Sequence, residues 1–203
     1  MGEELYTYER ELRADGYRIV CGVDEAGRGP LAGPVYAAAV ILPADTYIEG
    51  LDDSKKLSDS RRRELSVLIR DRALAWAVRS ASHSEIDEQN ILNATFLAMK
   101  RAVEGLSMTP DLALVDGNRM PKLGVETQCI VKGDSKCACI AAASILAKVA
   151  RDDYMLEMSR KYPDYAFEKH KGYPTKLHYR RIFEHGVSPI HRMSFLKNLE
   201  EHR

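Results

Sequence analysis

The sequence predicts an α/β fold: a mixed five-stranded sheet flanked by helices, with a small helical extension at the C-terminal end. Three observations predict it. Five short aliphatic runs read as strands, and longer segments carry the 3.6-residue periodicity of helices. The opening strands have little or nothing helical between them, which predicts antiparallel hairpins, whereas the later ones follow helices, which predicts parallel crossovers. From about residue 160 the chain is broken repeatedly by Pro and Gly, which predicts short helices and no further strand.

In chain order, strands are expected over residues 18–24 and 34–42, each an apolar run bounded by turn residues. Residues 59–72 read as a helix, with Ser58 placed to cap its free N–H groups. A strand over 73–80 and a helix over 85–104 follow, and Gly105 ends that helix. Two short strands, 112–115 and 127–131, lead into a helix over about 136–158 whose alanine-rich middle would pack closely on a sheet. Beyond it, Pro163, Gly172, Pro174, Gly186 and Pro189 separate shorter helices. There is no internal repeat, and no linker sets the extension apart. One domain is therefore expected over 1–203, with about 160–203 as its helical extension.

Composition narrows the function classes. With 30 Lys+Arg against 30 Asp+Glu, 45% apolar and 30% charged residues, the chain is neither disordered nor fibrous. Its longest uncharged stretch, residues 29–44, carries three prolines and is too short for a membrane span. Met1-Gly2-Glu3-Glu4 has no basic or apolar leader character, so a cytoplasmic protein is expected. Cys21, Cys129, Cys137 and Cys139 form no CxxC pair and have apolar neighbours, which predicts reduced, mostly buried thiols and no zinc site.

Charge is uneven despite the zero net total. Residues 161–203 hold nine Lys/Arg against five Asp/Glu, together with five of the six histidines. Five of the ten tyrosines fall between Tyr154 and Tyr179. Basic residues interleaved with aromatics suit a nucleic-acid backbone and its stacking surfaces, but a solvated helical face has the same composition. His170, His178, His185 and His191 show no spacing that singles out an acid/base pair, and surface or capping roles are expected; His170 stands out by lying three residues before Tyr173.

The densest chemistry lies in Gly22-Val23-Asp24-Glu25-Ala26-Gly27-Arg28-Gly29-Pro30. Gly22 to Gly27 has phosphate-loop spacing, but Arg28-Gly29 stands where Lys-Ser/Thr is required. Gly27 to Ala32 fits a dinucleotide-binding GxGxxA, yet Pro30 and Pro34 occupy the place of the helix. What remains is an apolar strand ending in two adjacent acids. Leu112-Ala113-Leu114-Val115-Asp116-Gly117 repeats the pattern, and Gly133-Asp134-Ser135 sits where a strand gives way to the long helix. Carboxylates gathered at strand ends repel one another unless a cation lies among them, and an all-oxygen set favours Mg²⁺ or Mn²⁺. Asp and Gly also punctuate ordinary turns. The vicinal Asp24-Glu25 pair favours the metal reading, because a cap does not require two adjacent acids.

The string Gly22 to Val35 resembles the opening motif of the ribonuclease HII (type 2 ribonuclease H) family. Leu51-Asp52-Asp53-Ser54-Lys55-Lys56-Leu57, Asp116-Gly117-Asn118, Lys132-Gly133-Asp134-Ser135, the run Ala141 to Asp152 and His170-Lys171-Gly172-Tyr173-Pro174-Thr175 resemble its later motifs, in family order and spanning nearly the whole chain. The resemblance implies a ribonuclease H-like fold, and hydrolysis of RNA paired with DNA, single embedded ribonucleotides included. It implies that Asp24, Glu25, Asp116 and Asp134 are the catalytic, metal-holding acids. It further implies that Gly27, Arg28 and Gly29 contact the ribose 2′-hydroxyl, and that Tyr173 packs on the sugar at the RNA–DNA junction. The expected partners are RNA–DNA hybrids and ribonucleotide-containing duplex DNA, bound by a monomer with no membrane association.

Physical chemistry agrees with these implications. Two metal ions about 4 Å apart can activate water on one side of a phosphate and stabilise the leaving oxygen on the other, giving 3′-hydroxyl and 5′-phosphate ends. Successive strand residues face opposite ways, so Asp24 and Glu25 are expected to share one site only if the chain turns at Glu25. Lys and Arg of the tail would hold phosphates. A strand transferase or resolvase of the same broad fold is disfavoured by the Gly-Arg-Gly turn and the short length. A metal-free binding module would leave four acids unexplained, and a nucleotide-binding protein is weakened by both failed glycine motifs.

Overall fold

The computed structural model describes residues 3–202. Met1 and Gly2, read above for a leader, and Arg203, counted in the tail charge, lie outside them. The sheet has the order β3-β2-β1-β4-β5. Strand β1 (Val20–Ala26) is central; it pairs antiparallel with β2 (Val35–Ile41) and parallel with β4 (Leu112–Asp116). Strand β3 (Ala75–Ala81) adds antiparallel to β2, and β5 (Glu126–Ile130) adds parallel to β4. The expected split between antiparallel opening strands and parallel later ones is therefore observed. One difference is that a helix, α2 (Asp59–Arg72), stands between β2 and β3 without making them parallel.

Two long helices sandwich the sheet. Helix α4 (Ala138–Lys161) is apolar on nearly every side because it is enclosed: Ala141, Ala142, Ala143, Ile145 and Leu146 are all fully buried. Its first turn presses on β1 so closely that a Cβ on Gly22 would sit 2.1 Å from the Cys139 carbonyl carbon. Glycine is obligatory there. On the outer side α2, capped by Ser58 as expected, buries Leu65 and Ile69 in the same cluster; each full burial is worth roughly 1.5–3 kcal/mol. The other face carries α3 (His83–Glu104), whose Ala94, Ala98 and Ala102 pack on β2 and β3 beneath a Ser82/Glu85 capping box.

Helix α3 is not the uninterrupted helix its periodicity predicts. Asn90 takes φ 69°, ψ 164°, and its Oδ1 accepts from the N–H groups of Leu92 and Asn93 at 3.0 and 3.1 Å. It recaps the helix from within, using the local hydrogen bond that makes Asn a good N-cap. A short N-terminal helix, α1 (Thr7–Ala14), was not expected from the sequence. It packs Tyr8 and Leu12 near Leu112 and Ile140, and its buried Glu9 accepts from the Cys139 N–H at 2.7 Å, at the start of α4 where Cys137 offers no cap.

The C-terminal segment folds as short helices, including α5 (Phe167–His170) and α6 (Lys176–His185), as the Pro/Gly spacing predicts. It docks on the loop after β1: the Leu31 N–H donates to the Gly172 carbonyl and the Gly33 N–H to the Ile190 carbonyl, both at 2.8 Å. The histidines correct the sequence reading. His170, His178 and His191 are buried together in this segment, and only His185 is exposed among the four. Arg192, counted with the phosphate-facing cations, is fully buried as well. The four cysteines are free, and three of them are buried, as expected. Among the described residues no helix is long and apolar enough to cross a membrane.

Candidate active site

Strand alternation assembles the acids. Along β1, Cys21 and Val23 face α3 while Gly22 and Asp24 face α4; along β4, Ala113 and Val115 face α3 while Asp116 faces α4. Val23 lies beside Val115 in the parallel register, so Asp24 and Asp116 stand side by side on one face. The short turn Gly133–Ser135, just ahead of α4, brings Asp134 to them. One carboxylate oxygen from each of Asp24, Asp116 and Asp134 lies within 4.8 Å of the other two. The Gly133 N–H holds Asp116 Oδ1 at 2.7 Å, and a Cβ on Gly133 would meet Ile140 at 2.5 Å.

Glu25 does not reach this face by a turn of the chain. Strand β1 continues through Ala26, with Glu25 opposite Ala37, so its side chain leaves on the α3 side. At the frayed end of the sheet that still places it at the lip of the same cleft. This cleft, about 240 Å³, is lined by Asp24, Glu25, Asp116, Lys55, Lys148 and Tyr173 among others. Arg28 Nη1 is 3.3 Å from Glu25 Oε1, and Lys55 Nζ is 3.1 Å from Asp134 Oδ2. The requirement for a turn is thus corrected. The strand end itself gives both faces access to one cleft.

These acids are held at an electrostatic cost. Burial, then the charges of Glu25 and Asp116, push the Asp24 carboxyl well above the usual carboxylate range. Asp116 is raised by burial, with Asp134 adding to the shift and the Gly133 N–H opposing it. Glu25 is raised by burial, partly offset by Arg28. Two carboxylates at such spacing repel by about 3–4 kcal/mol at an effective dielectric near 20. The set consists only of oxygen donors converging on one point, two of them buried. That is the donor chemistry of a hard divalent cation.

The other predicted residues line the same cleft. Gly27, at φ 98°, lies where a Cβ would be 2.1 Å from Arg151 Nε, and Gly29 approaches the Tyr173 ring. The Tyr173 side chain is 39% exposed, a ring presented to solvent and not a core residue. Lys55, Ser54 and Ser144 carried no assigned role in the sequence reading. The two hydroxyls are 2.7 Å apart beneath the acids. Lys55 was visible as a cation within Ser54-Lys55-Lys56, whereas nothing in composition singles out Ser144 in an alanine-rich helix.

Comparison with known proteins gives a consistent picture. The ribonuclease HII family profile matches residues 21–198. A ribonuclease HII of Caldicellulosiruptor bescii is 53% identical over 197 residues, 97% of this chain and 96% of that protein. One from Dechloromonas aromatica is 59% identical over 177 residues, covering 87% of this chain and 90% of that one. The crystal structure of ribonuclease H2 from Pyrococcus horikoshii OT3 superposes with a TM-score of 0.75 at 28% identity, covering 91% of this chain and 98% of the other. The profile match and the near full-length relatives agree with the order of the motifs and the five-stranded sheet, and on these grounds the chain belongs to the ribonuclease HII family, metal-dependent endoribonucleases that cut the RNA strand of RNA–DNA hybrids.

Proposed function

We propose that this chain, beyond cutting RNA in hybrids, incises duplex DNA on the 5′ side of single embedded ribonucleotides, with Asp24, Glu25, Asp116 and Asp134 as its catalytic acids. The observation that supports this most is the convergence of three carboxylates in a cleft that also holds the Gly27–Gly29 loop and an exposed tyrosine. Mg²⁺ or Mn²⁺ held there would supply the two-metal arrangement, in which water is activated for attack on phosphorus and charge on the leaving oxygen is neutralised.

The protein groups divide the remaining work. Asp24, Asp116 and Asp134 provide the oxygen donors, and Glu25 joins them from the lip. Lys55 steadies Asp134, and the Gly133 N–H steadies Asp116. The backbone of Gly27, Arg28 and Gly29 reads the 2′-hydroxyl without reference to base identity, the group by which RNA differs from DNA. The Tyr173 ring packs on the deoxyribose that follows. With water as nucleophile the products are a 3′-hydroxyl and a 5′-phosphate. We read the chain as one catalytic domain working as a monomer in the cytoplasm.

The test is incubation with a duplex carrying one ribonucleotide, with Mg²⁺ or Mn²⁺ and with chelator. Cleavage in metal alone, and none of an all-DNA duplex, is expected. Metal-independent binding without cleavage would favour a binding module instead.

A further inference from the structure

The Gly27–Gly29 loop and Tyr173 come from distant parts of the chain, and two consecutive residues hold them both. Arg192 is fully buried, and among the described residues it forms no salt bridge with a carboxylate. Its Nη2 donates to the Gly27 carbonyl at 2.7 Å, Nη1 to the Arg28 carbonyl at 2.9 Å, and Nε to the Gly33 carbonyl at 2.8 Å. A buried cation satisfied only by peptide oxygens is costly unless it fixes something. What it fixes is the orientation of two peptide planes. In a trans peptide the N–H points opposite to the C=O, so the N–H groups of Arg28 and Gly29 are turned away from Arg192. Neither has a hydrogen-bond partner among the described residues.

His191 begins a second chain of bonds. Its Nδ1 accepts from the Ser188 backbone N–H at 2.8 Å. A backbone N–H can only donate, so the proton of neutral His191 sits on Nε2. That nitrogen is 3.0 Å from His178 Nε2 and must donate to it. His178 therefore carries its proton on Nδ1, which donates to the Tyr173 carbonyl at 3.0 Å. The direction of the whole chain follows from one backbone group, and both rings are buried. His170 stacks on His178 with ring centroids 4.3 Å apart and accepts from the Gly172 N–H at 3.1 Å. The cations nearest the Tyr173 ring stand off from it, Arg151 at 5.5 Å and Lys148 at 5.9 Å, and neither clamps it. Its place is set by its backbone.

We propose that His178 and His191 are positioning residues that fix Tyr173 and so set the selectivity for a ribonucleotide followed by a deoxyribonucleotide, while Arg192 positions the facing Gly27–Gly29 loop, which both kinds of substrate use. This rests on the reading of Tyr173 and the loop given above. Displacing a positioning group by about 1 Å can cost a hundredfold in rate, so a tether of this kind is a specificity element and not only packing.

The experiment measures the ratio of cleavage rates on a single-ribonucleotide duplex and on a continuous hybrid. His178→Leu removes the side-chain donor to the Tyr173 carbonyl and leaves the Thr175 N–H, at 2.8 Å, still bound to that oxygen; the loss should fall about tenfold harder on the single-ribonucleotide duplex. His178→Asn places an amide donor near the lost Nδ1 and should restore most of the ratio. In a Tyr173→Ala background, His178→Leu should change the ratio by less than about twofold, because it acts through the missing ring. Arg192→Lys, which cannot span three carbonyls, should lower the rate on both substrates, since both present a 2′-hydroxyl. His191→Asn keeps an acceptor for Ser188 but cannot reach His178; it breaks the same chain elsewhere and serves if His178→Leu fails to fold. If Tyr173→Ala leaves the ratio unchanged, the reading of Tyr173 fails and the proposal falls with it. If Tyr173→Ala shifts the ratio while the histidine variants reduce both substrates equally, or add to Tyr173→Ala in full, the reading stands and the tether is overturned.

Discussion

Lys55 Nζ lies 3.1 Å from Asp134 Oδ2, and among the described residues it is the one cationic side chain in a salt bridge with any of the three clustered aspartates. The lysine is mostly exposed while the acid is buried, so the pair itself is worth well under about 1 kcal/mol. Its consequence is competition. A divalent cation and Lys55 use the same carboxylate. Lys55→Met should therefore raise the affinity for Mg²⁺ about threefold, read as a larger Mg²⁺-induced rise in melting temperature than in wild type. An unchanged or smaller rise would show that Lys55 does not oppose the ion.

Neutralising an acid should separate chemistry from binding. Asp24→Asn or Asp116→Asn should lower turnover by about a hundredfold or more. Affinity for hybrid in Ca²⁺ or chelator should stay within several-fold of wild type. Near-normal turnover in Mg²⁺ by either variant would remove that acid from the site.

Repulsion within the cluster makes a stability prediction. Without metal, Asp134→Asn should be as stable as wild type or more so, since one of three mutually repelling carboxylates is gone. Millimolar Mg²⁺ should raise the wild-type melting temperature, and raise that of Asp134→Asn less. Thermal scans of both proteins with and without Mg²⁺ decide it.

The buried histidines predict a dependence of stability on pH. Burial, with the neighbouring His170 next, lowers His178 to about 3; burial also lowers His191 to about 4. Both lie below the unfolded value near 6.5, so between pH 6.5 and 4 the unfolded chain binds protons that the folded chain does not. Their contribution is complete above pH 6.5 and is lost as pH falls through that window. For each ring it amounts to on the order of 3 kcal/mol between pH 7 and pH 4. Raised carboxylates such as Asp24 act in the opposite direction, so the quantity to compare is the pH slope of wild type against His178→Phe in urea unfolding. The variant should lose less stability on acidification. Equal slopes would mean that His178 titrates normally.

Sequence legibility followed the range of the interactions. Asp24 and Asp116 were readable because each ends an apolar run, and a strand end in an α/β sheet is where ligands bind. The wrong step concerned Glu25, for which alternation within a strand demanded a turn; the end of the sheet satisfied the geometry instead. Ser58 and Gly105 were readable because caps are local, whereas Asn90 breaks α3 by a local bond with no Gly or Pro to announce it. The burial of His178, His191 and Arg192 depends on contacts with Tyr173 and Gly27, far away in sequence, and no spacing in the tail encodes them. Charge counting placed Arg192 on the surface for the same reason. Helix α1 was missed because its eight residues are too few for periodicity, and its place is set by docking on β4 and α4.

The most direct test is the chemistry of the ends produced from duplex DNA containing a single ribonucleotide. With Mg²⁺ and wild-type protein, the cut should fall 5′ to the ribonucleotide and leave a 3′-hydroxyl on the upstream DNA and a 5′-phosphate on the ribonucleotide. Chelator or Asp24→Asn should abolish it. A 2′,3′-cyclic phosphate, or cleavage persisting in chelator, would show that the 2′-hydroxyl is the nucleophile and would contradict a water-attacking carboxylate–metal site.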